Sequence, residues 1–98
     1  MTTQFSNKTV SRTAGFVFKM MGDEGVLVEI TQNVVNMDKV YTLNQLGVFV
    51  YQQLNQPRAV DYLLENILAE FDVSTEIATT DLKEFLEESE KMGIIEIA

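Results

Sequence analysis

The chain predicts an α+β fold: a three-stranded antiparallel sheet followed by three helices. Three observations carry this. Apolar residues alternate with a period of two up to Leu43 and recur at helical spacing from Leu46 onward. Glycine and polar clusters punctuate the first half, while helix caps and a proline punctuate the second. Strands and helices are thus segregated along the chain, which favours α+β over alternating α/β architecture.

The first strand covers Phe16 to Met21. Gly22-Asp23-Glu24-Gly25 reads as a four-residue turn, and Val26 to Ile30 as the second strand, with Val26, Val28 and Ile30 on one face. Thr31-Gln32-Asn33 reads as another turn. The third strand runs from Val34 to Leu43. Val35, Met37, Tyr41 and Leu43 share one face and Asn36, Asp38, Val40 and Thr42 the other, with the alternation broken at Lys39. Asn44 then suits a helix N-cap, because its side-chain oxygen can accept an orphan amide N–H. Leu46, Phe49, Val50 and Leu54 define the first helix, which Asn55-Gln56-Pro57-Arg58 ends. Val60, Leu63, Leu64, Ile67, Leu68 and Phe71 give the second helix a continuous apolar stripe. The third helix starts at a cap on Ser74 or Thr80, buries Ala78, Leu82, Phe85, Leu86 and Met92, and stops at Gly93, a natural C′ residue. Ile94 to Ile97 is extended and fits a short terminal strand. Residues 1–11 read as a flexible tail and residues 12–98 as one domain. Three helices beside a small sheet give a winged helix-turn-helix-like arrangement.

Composition excludes several functions. With neither cysteine nor histidine in 98 residues, disulfides, thiolate metal sites, Ser-His-Asp triads and Cys-His pairs are impossible. No metal or cofactor site is expected. A small chain without staples fits the cytoplasm, and no apolar run reaches the ~20 residues of a membrane span. The net charge of −8 lies wholly beyond Gln56, because acids and bases cancel before it. Such a surface repels phosphate backbones, so nucleic acid is not an expected partner. Gly22 and Gly25 precede no helix and form no phosphate loop. Adjacent carboxylates such as Glu87 and Glu88 diverge on a helix, so catalysis is not expected.

A pattern across the second half carries more. Tyr41-Thr42-Leu43-Asn44 leads into Leu46-Gly47. The helix of Val60, Leu63 and Leu64 follows, then Phe71-Asp72-Val73, Asp81-Leu82 ahead of Phe85-Leu86, and finally Gly93-Ile94-Ile95. In this order and spacing the chain resembles the PqqD-like family, over roughly Arg12 to Ile97. Members are small winged helix-turn-helix domains that act as recognition elements for ribosomally made, post-translationally modified peptides. This chain departs from the family pattern at Asn55-Gln56, where Asp-Gly is frequent. It departs again at Ala59, where a hydroxyl residue usually caps the second helix, and at Ser89, where leucine is expected.

The resemblance implies a non-catalytic adaptor. It would bind the leader of a precursor peptide by strand addition and present it to a modifying enzyme such as a radical S-adenosylmethionine protein, a peptidase or a cyclase. The implied peptide-binding residues are Val34, Val35, Asn36, Met37, Asp38, Lys39 and Val40 on the third strand. On the third helix they are Asp81, Glu84, Phe85, Glu88, Ser89 and Met92. An open edge offers unpaired backbone groups to an extended peptide. Glu84 and Glu88 would pair with basic side chains of the peptide. Ser89 removes apolar volume, which either opens a pocket or is filled by Met92. Two other classes fit the fold. A winged-helix transcriptional regulator would need a basic recognition helix, and here that helix is acidic. A structural subunit would bury the same strand edge in a homodimer rather than remain a monomer.

Overall fold

The computed structural model describes residues 7–31 and 34–98, with Thr31 and residues 34–39 described by their backbone. The elements are β1 (Thr9–Arg12), β2 (Phe16–Met21), β3 (Glu24–Thr31), β4 (Val34–Leu43), α1 (Gln45–Gln53), β5 (Arg58–Ala59), α2 (Val60–Glu70), α3 (Thr75–Lys91) and β6 (Ile95–Ile97). The expected meander β2-β3-β4 and the three helices are present. A second antiparallel sheet, β5-β1-β6, accompanies them.

Part of the expected N-terminal tail is structure: residues 9–11 belong to β1, the central strand of this second sheet. Val10 is fully buried. Thr9 and Ala98 exchange backbone hydrogen bonds at 2.9 Å, which ties the start of the strand to the end of the chain. The amide of Val60 donates to the Lys8 carbonyl at 3.1 Å. Ala59 provides no side-chain cap for α2; the Lys8 carbonyl, just ahead of β1, satisfies the first amide of the helix, one of its orphan donors.

The β2–β3 loop is tighter than its sequence indicates. Met21 pairs with Glu24, which leaves Gly22-Asp23 as a two-residue loop with φ 67° at Gly22. Mirror-image hairpin turns need positive φ at that position. Gly25 instead lies in β3 with ordinary backbone. A Cβ there would stand 2.6 Å from the Phe18 ring and 2.8 Å from Val48, so its missing side chain admits the α1 packing beneath the sheet. The Thr31-Gln32-Asn33 turn lies largely outside the described residues.

The ends of α1 and α3 are closed by identifiable contacts. Asn44 accepts from the Gly47 amide at 2.9 Å, and Ser74, rather than Thr80, caps α3 by accepting from Ile77 at 3.2 Å. At the end of α3, Gly93 (φ 76°) donates to the Glu90 carbonyl and Ile94 to that of Ser89, a Schellman closure. The last turn of α1 has no basic residue of its own. Two arginines from elsewhere serve its carbonyls. Arg12 donates to Tyr51 O through Nη2 at 2.7 Å and Nε at 3.3 Å, and Arg58 donates to Gln53 O at 2.9 Å. Both complement the negative end of the helix dipole.

The core joins both sheets to the inner faces of the helices, with Leu27, Val50, Leu63, Leu82, Leu86 and Ile94 essentially unexposed. Tyr51 lies in it, under the Arg12 guanidinium at 4.1 Å and against Phe18 at 5.4 Å between centroids. Burial raises the Tyr51 phenol above its ordinary value, partly opposed by Arg12. A raised folded-state pKa means that the stabilisation is complete below the unfolded value near 10 and is lost as pH rises through the folded value. Urea midpoints are therefore expected to fall on going from pH 9 to pH 11, and Tyr51→Phe should flatten that dependence.

Candidate functional site

β4 is an edge strand, paired with β3 along one side only. Its pairing falls into two runs. Val40 to Leu43 oppose Val28 to Gly25, and Val34 to Asn36 oppose Thr31 to Glu29. Met37, Asp38 and Lys39 between them have no partner residue on β3. This bulge falls where the sequence alternation breaks at Lys39. An odd number of unpaired residues reverses the pleat between the two runs, so one alternation does not continue along the whole strand. Bulges of this kind bend an edge and protect it from indiscriminate self-pairing.

Beyond the end of β4, the chain turns at Asn44 into α1, and α3 lies across the opening. The cleft between them has a volume of about 250 Å³ and is lined by Asn44, Leu46, Asp81, Glu84, Phe85 and Glu88. Four of the residues expected on α3 therefore meet in one place, because positions 81, 84, 85 and 88 share one face of a helix. Leu46 and Phe85 are half-buried and supply apolar wall. Asp81, Glu84 and Glu88 are exposed at the rim. Among the described residues, no cationic side chain lines the cleft. Phe85 is seated against Gly47, where a Cβ would come within 2.9 Å of its ring and 3.2 Å of the Leu43 Cβ. The glycine lets α1 and α3 approach closely enough for the ring to form part of the wall.

Val40 is 41% exposed at the edge, and residues 34–39 contribute the backbone of the same strand. Ser89 and Met92 lie away from the cleft. Ser89 is fully buried on the inner face of α3, and its hydroxyl has no hydrogen-bond partner. The position follows Leu82 and Leu86 around the helix, so it faces the core. Met92, at the helix C-cap, is 41% exposed. A buried hydroxyl without a partner costs about 1–3 kcal/mol. Ser89→Ala is accordingly expected to leave stability unchanged or raise it by up to about 1 kcal/mol in urea unfolding. Sequence reasoning missed Asn44 and Leu46 as lining residues. Their signals, a helix cap and the first apolar position of a stripe, are also what the site reuses.

The fold defines a small, acidic α+β domain in which the edge strand β4 leads directly into a cleft between α1 and α3. The family described as Coenzyme PQQ synthesis protein D (PqqD) matches residues 32–95, and the chain belongs to that family. No curated protein matches the chain. Among solved structures, TbiB1 in complex with the TbiA(beta) leader peptide is similar at a TM-score of 0.72. The likeness covers 88% of this chain and 94% of that one at 21% identity. Among the described residues no helix is long and apolar enough to cross a membrane, and no cluster of acidic side chains could hold a metal ion.

Proposed function

We propose that this protein is a non-catalytic adaptor that binds the leader of a ribosomally made precursor peptide by strand addition to β4 and presents it to a modifying enzyme. The observation that carries the reading is the juxtaposition of a one-sided strand with the cleft of α1 and α3. Family membership and the leader-peptide complex of the similar TbiB1 structure support it. An added strand satisfies the edge through its own backbone, while alternate side chains fall toward the cleft. The enzyme served would be a radical S-adenosylmethionine protein, a peptidase or a cyclase.

N-methylation of a bound leader tests this directly. Methyl groups on the alternate amides that face β4 should abolish binding, whereas methylation of the intervening amides should leave most of it. Equal tolerance of both sets contradicts strand addition. The carboxylate rim adds a kinetic expectation. Reversing charge at Glu84 and Glu88 together should slow association of a basic leader several-fold at low salt and much less at high salt, as stopped-flow mixing would show.

A further inference from the structure

The β2-β3-β4 sheet is apolar on both faces. On the inner face the row Phe18, Leu27 and Tyr41 packs into the core. One residue along each strand, Val17, Val28 and Val40 pair in register and form a row on the opposite face. Lys19, Val26 and Thr42 make the next row of that outer face, and Met21 continues it toward the hairpin loop. Val17 is 48% exposed and Met21 59%. Val40, Lys19 and Thr42 are exposed as well, with Val26 and Val28 half-buried between them. A solvated sheet face ordinarily carries polar residues, and a contiguous exposed apolar patch marks an interaction surface. Charge also sets this face apart. Lys19 is the one charged side chain in its two rows, on a chain of net charge −8 whose excess acids lie beyond Gln56.

We infer that this outer face docks the modifying enzyme, through an enzyme patch that is apolar and sets a carboxylate against Lys19. The inference rests on the adaptor reading and on strand addition. Charge selects the occupant. An enzyme carboxylate is drawn to Lys19 and repelled by the rim of Asp81, Glu84 and Glu88. Enzyme and basic leader therefore do not compete for one surface. A second copy of this chain would instead bring another net −8 against the first. The added strand then completes the face. Residues directly opposite each other in paired strands share a face, so the leader residues opposite Val40 and Thr42 extend both outer rows by one position. The docked enzyme touches adaptor and leader together, and it binds the loaded adaptor more tightly than the empty one. By linkage, the enzyme raises the affinity of the adaptor for its leader by the same factor.

Interferometry of the immobilised full chain against the purified modifying enzyme encoded beside it tests the inference, with and without saturating synthetic leader of the accompanying precursor. Leader should tighten the enzyme about tenfold, within the usual range of coupling between sites. Val17→Asp lies two strands from the open edge of β4. It should weaken the enzyme about tenfold or more in both conditions, while isothermal titration shows leader affinity in the absence of enzyme unchanged. Lys19→Glu should slow enzyme association several-fold at low salt and much less at high salt. If Val17→Asp fails to fold by circular dichroism, Lys19→Glu decides alone. Variants that bind the enzyme like the wild type overturn the docking face. Wild-type protein that takes the leader but not the enzyme also overturns it and leaves strand addition standing, whereas protein that takes neither overturns both. Enzyme affinity indifferent to the leader overturns the shared face. Self-association that Val17→Asp abolishes would assign the face to a second copy of the chain and overturn the docking.

Discussion

Removing residues 1–12 is expected to abolish cooperative unfolding, although this segment reads in sequence largely as a tail. β1 lies between β5 and β6, so its loss leaves both without a partner among the described residues. It also deprives the Val60 amide of its Lys8 acceptor and strips the Arg12 guanidinium from the end of α1. Burial of Val10 contributes about 1.5–3 kcal/mol, and hydrogen bonds from a charged donor about as much again. Together these rival the ~5–15 kcal/mol that holds an ordinary domain folded. A graded version is Val10→Ala, which should lower stability by about 2 kcal/mol through lost burial and a residual cavity. Urea titrations followed by circular dichroism measure both. A truncated protein with an unchanged midpoint would mean that β1 is an accessory to the fold.

Phe85→Ala should reduce leader affinity about 30-fold, a loss near 2 kcal/mol and typical of an aromatic anchor at the centre of an interface. The ring is half-buried between Gly47 and the cleft, so its removal costs the site a wall and the core only an outer contact. The stability change should therefore be smaller than the change in binding. Isothermal titration of the variant beside the wild type separates the two effects. Full affinity in a folded Phe85→Ala protein would exclude the cleft from the binding surface.

What the sequence made legible and what it concealed divide by contact range. The β2–β3 hairpin, the cap at Asn44, Ser74 as one of two candidate caps and the stop at Gly93 were readable because each is a local solution to backbone sterics or to an orphan hydrogen-bonding group. β1 and β5 were hidden for the opposite reason. They are short, carry little alternation, and exist because distant segments pair with them. Ala59 showed correctly that α2 lacks a side-chain cap, but not that the Lys8 carbonyl would take up the amide of Val60. On α3, helical spacing put Asp81, Glu84 and Glu88 on one face with Phe85 at its border, and the four line one cleft. The same spacing puts Ser89 on the inner side with Leu82 and Leu86, where the structure buries it completely. Asn44 and Leu46 escaped notice because residues already explained by a cap and a core stripe raise no further question. The broken alternation at Lys39 was visible, yet only the register with β3 identifies it as a three-residue bulge.

Strand addition at β4 is the central claim, and amide hydrogen exchange of the isotope-labelled protein, with and without a bound leader, tests it most directly. Amides of β4 that are unprotected in the free protein should become protected in alternating positions on binding, accompanied by chemical-shift changes at Asp81, Glu84, Phe85 and Glu88. Saturating leader that shifts resonances elsewhere while the β4 amides exchange as fast as before would contradict it.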